Sequence, residues 1–213
     1  MTSSTRRPKA ELVDLIVQGG SEATAIVEDL LTAVRSAAGA LEVTPEVFSV
    51  AEEVGRSHTV LPPEFRRSIV ITGDQSATAW ADPTRFRQII RNLLSNAQRY
   101  GGDRVTVRIS RQDDTVRVVV ADDGDGILQA EWETVFEPFG RTTGVRRSTD
   151  SVGLGLPISR ALARTMGGDL TYRYQNQESL FNLSLPASPP TEAPDDAQRV
   201  IPEPSLRSFA NPA

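Results

Sequence analysis

No cysteine occurs in the 213 residues. Disulfides and thiolate metal sites are therefore closed to this chain, and a reducing compartment is the simplest fit. Long apolar runs are also missing: none approaches the ~20 residues that span a bilayer. The N-terminal stretch "MTSSTRRPKAELVDLIVQ" starts basic, but Glu11 and Asp14 interrupt what would be a signal-peptide core. There is no basic excess either. The formal net charge of −5 argues against a nucleic-acid partner, because phosphate binding needs a basic field. Histidine is nearly absent, with one copy, His58, in "GRSHTVLPPEF". What remains is ordinary for a soluble globular protein: 38% hydrophobic and 24% charged residues, in a chain long enough for one good core with appendages. A cytoplasmic location is expected, with a membrane anchor in a longer parent protein left open.

Three regions can be distinguished. In residues 1–44, Leu12, Ile16, Gly19, Ala23, Ile26, Leu30, Ala33 and Ala37 are spaced alternately four and three, which is a heptad seam. Leu15, Val27, Leu31, Val34 and Leu41 widen the stripe to that of a long bundle-type helix, which needs partners to be stable in water. Residues 45–186 mix strands and helices. "RSIVITGD", "RVTVRIS", "TVRVVVAD", "DLTYRYQ" and "SLFNLSLP" read as strands, most with period-two alternation. Helical patterns cover Val50 to Val60, Pro83 to Arg99 and Leu156 to Met166, the second opening on Asp82 as N-cap with Pro83 behind it, the third closing on Gly167-Gly168. The expected fold is α+β: a two-layer α/β sandwich, its mixed sheet covered by about three helices. From Pro186 onward the chain holds seven of its fourteen prolines and little core-forming pattern, so residues 187–213 read as a disordered tail.

The chemistry gathers where the glycines do, ten of the fifteen falling between Gly101 and Gly168. "VVVADDGDGI" is a strand ending in Asp122, followed by Gly124 and Gly126, which let a backbone approach a ligand closely. A hairpin turn is an equal reading of that stretch taken alone. "SVGLGLPIS" places Gly153 and Gly155 just before a helix, where free backbone N–H groups make an anion site. "NLLSNAQRY" puts two amides, Asn92 and Asn96, one turn apart on the face that also carries the sealing leucines. Amides are costly to bury unpaired, so such a pair points to a polar site.

In chain order, "NLLSNAQRY", "DDGDGI", "FEPFGR" and "GLGLPIS" resemble the four nucleotide-binding boxes of the sensor histidine kinase catalytic domain. This ATP-binding sandwich is shared with type II topoisomerases, the heat-shock chaperone ATPase and mismatch-repair ATPases. The likeness spans about residues 45–186. The N-terminal seam looks like the second helix of the family's dimerisation and phosphoacceptor hairpin, which implies a homodimer through residues 8–41.

The resemblance implies ATP and Mg²⁺ as cofactors. Asn96 would offer an amide oxygen to the Mg²⁺, and Arg99 would contact phosphate. Tyr100 would border the nucleotide, and Asp122 would accept a hydrogen bond from the adenine amino group. Gly124, Gly126, Ile127, Phe139, Gly153, Leu154, Gly155 and Leu156 would complete the pocket. Arg141 would contact phosphate at the start of a lid formed by residues 141–152. Arg146 and Arg147 within it read as solvated loop charges. Asn92 stands where the hydrolysing ATPases of this fold carry a water-activating glutamate. An amide cannot take the proton, which favours phosphoryl transfer over hydrolysis.

Three departures qualify the likeness. Ser151 stands where the family's glycine-rich run usually opens on glycine, and Asp125 replaces a frequent proline. The third is the acceptor. His58 has no acceptor motif around it and reads as a surface histidine, and only five residues precede Arg6, where the first hairpin helix is expected. The phosphoacceptor helix is thus expected in trans or in a longer parent chain, with a response regulator downstream. A stand-alone serine kinase of the anti-sigma type and a non-catalytic ATP-binding interaction module remain open as alternatives.

Overall fold

The computed structural model describes residues 20, 27, 30–32, 34–35, 40–59, 61, 63–66, 68–138 and 153–190. Strand β1 (Glu46–Ser49) leads into helix α1 (Val50–Thr59), the short α2 (Pro63–Arg66), β2 (Ile69–Gly73) and β3 (Thr78–Ala81). Helix α3 (Pro83–Tyr100) follows, then β4 (Val105–Gln112) and β5 (Thr115–Asp122). Beyond two 3₁₀ turns, Gln129–Glu131 and Thr134–Phe136, come α4 (Gly155–Thr165), β6 (Asp169–Gln175) and β7 (Glu178–Pro186). The main sheet has the order β2-β4-β5-β7-β6, with β2 parallel to β4 and the other pairs antiparallel. This is the mixed sheet that the sequence predicts.

Alternation decides which face of the sheet is covered. Along β7, Ser179, Phe181, Leu183 and Leu185 are buried while their neighbours are half-buried. Phe86, Ile89, Ile90, Leu93 and Leu94 of α3, all fully buried, lie in one core with Phe181, Leu183 and Leu185, as do Ile158 and Leu162 of α4. Each such side chain contributes about 1.5–3 kcal/mol when removed from water. The β6–β7 hairpin turns on Asn176 and Gln177, both at positive φ, as a two-residue turn of the right twist requires.

The helix boundaries follow from their caps. Asp82 accepts from Thr84 N at 2.8 Å and Arg85 N at 3.1 Å, and Pro83 occupies the first turn. The other Asp82 oxygen receives Thr44 N at 3.1 Å, so one carboxylate caps α3 and fastens the segment before β1. Helix α4 ends with Gly167 N–H on Arg164 O and Gly168 N–H on Ala163 O, the paired bonds of a Schellman motif. Buried Glu53 of α1 accepts from Arg87 of α3, at 2.5 Å, and from Arg56, at 2.8 Å.

Two elements escape the sequence reading. Strands β1 and β3 pair antiparallel as a separate two-stranded sheet, Glu46 opposite Ala81. Each is four residues long, too short for alternation to stand out, and their pairing is long-range. His58 is half-buried rather than free on the surface. Its Nε2 lies 2.9 Å from Arg66 O, tying the end of α1 to α2.

Most of the N-terminal seam, and residues 191–213, lie outside the described residues. Those described before Ala40 include helical Val27, Leu30, Leu31 and Val34, each at least half exposed. No helix among the described residues is long and apolar enough to cross a membrane.

Candidate functional site

Helix α3 meets the start of α4 through Asn92. Its Nδ2 donates to Ser159 Oγ at 2.8 Å, and a Cβ placed on Gly155 would fall 2.3 Å from its Oδ1. Only glycine allows the first turn of α4 to come this close. Leu154, the α4 N-cap residue, contributes no side-chain hydrogen bond, so among the described residues no N-cap side chain covers the first-turn amides of Gly155 and Leu156. Such amides have no partner within the helix and carry the positive end of its dipole. Gly153 leads in with φ +72°. One turn after Asn92, Asn96 is half-buried, and its amide bonds to no side chain among the described residues. Arg99 is exposed.

The second wall forms where β5 ends. Asp122 is 6% exposed, and its Oδ1 accepts from Gly124 N at 3.0 Å. The α3 C-terminus presses against it: a Cβ on Gly124 would lie 2.8 Å from Tyr100 O and 2.9 Å from Asp122 Oδ1, and one on Gly101 would lie 3.0 Å from Asp122 Cβ. Burial pushes the Asp122 carboxyl above its ordinary value of 3.8, against the opposing hydrogen bonds from Gly124 and Ser179, while Asp123 and Glu178 add repulsion. A carboxylate kept in so dry a place retains unused acceptor capacity for a donor of matching shape.

Gly126 and Ile127 are held from the side of β6. Gly126 has φ +75°, and a Cβ there would sit 2.3 Å from the Tyr174 ring. Ile127 N donates to the Tyr172 hydroxyl at 2.9 Å, and Trp132 Nε1 donates to Ile127 O, also at 2.9 Å.

Thus Asn92 is brought to Gly155, and Tyr100 and Gly124 to Asp122, while Gly126 and Ile127 continue the second wall. Phe139 and Arg141 lie outside the described residues, as do Arg146, Arg147 and Ser151. No group of three or more His, Asp or Glu among the described residues makes a metal site by itself. The half-buried Asn96 amide offers a single oxygen, a kind of ligand that suits a hard cation keeping several waters.

The sequence reading missed four contributors. Ser159 stands one turn after Gly155 on the same helix face, a spacing that was available as a signal. Ser179, Tyr172 and Trp132 reach the site through strand register and packing, which the local pattern does not encode.

Residues 81–189 match the model of the histidine kinase-, DNA gyrase B- and HSP90-like ATPases. The signal transduction histidine-protein kinase AfsQ2 of Streptomyces coelicolor is 28% identical over 185 residues, covering 86% of this chain and 34% of that protein. The chain spans about a third or less of the length of the curated relatives it matches. Among solved structures, the mycobacterial sensor histidine kinase MprB is 26% identical, with a TM-score of 0.60 over 68% of this chain and 100% of that one. ShkA, solved full-length in complex with AMPPNP, is also 26% identical, with a TM-score of 0.62 over 89% of this chain and 42% of that one. This chain belongs to the histidine kinase-, DNA gyrase B- and HSP90-like ATPase family and carries its ATP-binding domain.

Proposed function

We propose that this chain is the Mg²⁺- and ATP-dependent catalytic part of a sensor histidine kinase, passing the γ-phosphoryl group to a histidine other than His58. The observation that carries this reading is the state of Asn92. It is an amide where hydrolysing relatives of the fold are expected to carry a glutamate, and it is committed to Ser159 and packed on Gly155. A group that cannot take a proton, held this way, does not activate water. Phosphoryl transfer asks mainly for position and electrostatics, which the remaining residues supply.

Asn96 would ligate Mg²⁺, which when bound offsets the charge on the phosphates. Arg99 and the first-turn amides of α4 would receive the phosphates, with Arg141 joining from the lid. Asp122 would accept the adenine amino group, with Tyr100, Gly124, Gly126, Ile127 and Phe139 around the base. The exposed apolar positions Val27, Leu30, Leu31 and Val34 support a homodimer through residues 8–41, onto which an acceptor helix would dock. A response regulator would receive the phosphoryl group from that histidine, in the cytoplasm.

The test mixes the purified chain and Mg·ATP with a matching kinase that retains its acceptor helix but has a dead nucleotide site. Acid-labile phosphate on the partner's histidine is expected, with none on the chain alone. Acid-stable phosphoserine on a partner protein would overturn this reading in favour of an anti-sigma-type kinase.

A further inference from the structure

Three aromatic side chains close on the two residues that follow the Asp122 loop. The Tyr174 ring lies against Gly126, the Tyr172 hydroxyl takes the Ile127 N–H, and the Trp132 indole donates to the Ile127 carbonyl. The Ile127 residue is therefore gripped at both its polar backbone atoms. The grip is itself rigid. Trp132 meets Tyr172 edge-on at 5.8 Å between centroids, and the Arg173 guanidinium lies 5.6 Å from the indole centroid. Tyr172 also packs on Phe181 at 4.9 Å and is 4% exposed.

The Tyr172 hydroxyl does a second thing. It donates to Ser179 Oγ at 3.2 Å, and Ser179, itself buried, is the cross-strand partner of buried Asp122. A chain of donors thus runs from the Ile127 amide through Tyr172 to Ser179, which stands opposite Asp122 across the β5–β7 pair. The Tyr172 hydroxyl accepts once, from Ile127, and donates once, to Ser179.

We propose that Tyr172 is a positioning residue of the base pocket: its hydroxyl sets the Ile127 peptide on one side and, through Ser179, the Asp122 carboxylate on the other. Buried tyrosine hydroxyls usually find a partner, and a merely structural bond would join any two nearby groups. This one joins the two segments that flank the same pocket, and linked buried hydrogen bonds strengthen and orient one another. Without the hydroxyl, the Ile127 amide loses its partner and Ser179 is free to turn away from Asp122. The inference rests on the reading of Asp122 as the adenine acceptor.

The experiment uses the full chain and follows ADP, GDP and inorganic tripolyphosphate binding by calorimetry. Tyr172→Phe keeps the ring and removes the hydroxyl. ADP affinity is expected to fall about tenfold, with the ADP-over-GDP preference shrinking in step and tripolyphosphate affinity unchanged. Ser179→Ala cuts the same link without touching the aromatic packing and should reproduce the loss. The double variant should lose no more than either single one. A Tyr172→Phe protein that melts earlier but keeps the ADP-over-GDP preference would overturn the inference, while Asp122→Ala still abolishing that preference would leave the Asp122 reading intact. If the unaltered chain shows no such preference, both fall together.

Discussion

Gly155 lies so close to Asn92 that a Cβ on the glycine would sit 2.3 Å from the amide oxygen and 2.6 Å from the amide nitrogen. The two residues lock α3 to the first turn of α4, and the Asn92–Ser159 bond at 2.8 Å depends on that approach. Gly155→Ala should push the amide off Ser159 and displace the helix start, costing about 1–3 kcal/mol as overpacking does. Calorimetry should show ATP affinity reduced along with stability. Asn92→Ala in the same protein should restore much of the stability, because the methyl then fills the space the amide leaves. Strictly additive losses in that pair would show that the contact is not the cause.

The half-buried amide of Asn96, without a side-chain partner among the described residues, makes a sharper test of the metal site. Asn96→Ala removes the proposed oxygen ligand from a face where no carboxylate of α3 replaces it. The variant should fold normally and lose the Mg²⁺-dependent part of nucleotide binding. Titrating an ATP analogue with Mg²⁺ and with chelator separates the two parts. Equal Mg²⁺ dependence in the variant and the parent would remove Asn96 from the site.

Why was so much of this legible in the sequence? The helix faces and strands β2, β4, β5, β6 and β7 are written in period and caps: Asp82-Pro83 fixes the start of α3, and alternating Phe181, Leu183 and Leu185 fix the buried face of β7. The glycines mark where backbones must touch, as Gly124 does against Tyr100 and Asp122. Contacts made through register were not legible. Ser179 matters only because β7 pairs with β5 so that it faces Asp122, and Tyr172 only because β6 lies next to β7. Nothing within a few residues of either position announces the partner. The half-burial of His58 is not legible for a related reason, since its partner, Arg66 O, comes from a four-residue helix with no periodic signal.

Two carboxylates in the domain are shifted in opposite directions, and their pH signatures should differ in sign. Asp122 is raised above 3.8 chiefly by burial. The folded state therefore holds this proton more tightly than the unfolded chain, and the contribution is lost as pH rises from 3.8 through the folded value. For Asp169, burial also pushes upward, but hydrogen bonds from Arg160 and Arg164 outweigh it and hold the carboxyl below 3.8. Its contribution is present above 3.8 and is lost as pH falls through the lower folded value. Urea unfolding across the acidic range should show Asp122→Asn gaining on the parent as pH rises, whereas the deficit of Asp169→Asn should shrink as pH falls. Parallel curves for the two variants would contradict the assignment.

Asp122 also carries a selectivity test independent of stability. Replacing it with alanine removes a charged, buried acceptor and should weaken ATP by about 1.5–3 kcal/mol. GTP, with a carbonyl where adenine has its amino group, should be affected less. Competition titrations with both nucleotides decide the matter, and equal weakening would exclude Asp122 as the base reader.

The single histidine provides the last prediction. His58 Nε2 is 2.9 Å from Arg66 O, and the Arg66 guanidinium reaches back to Thr59 O at 3.1 Å, so the two residues clip the C-terminal turn of α1 to α2. A ring nitrogen used in this way is not presented to a nucleotide. His58 is also outside every contact described above between α3, α4 and the Asp122 loop. His58→Ala should therefore cost about 0.5–1.5 kcal/mol, the net worth of one hydrogen bond, and leave Mg·ATP affinity unchanged. Incubated with labelled Mg·ATP, the parent chain should carry no acid-labile phosphate. Labelling that disappears in His58→Ala, with nucleotide affinity preserved, would make His58 an acceptor and reverse the assignment of this residue to structure.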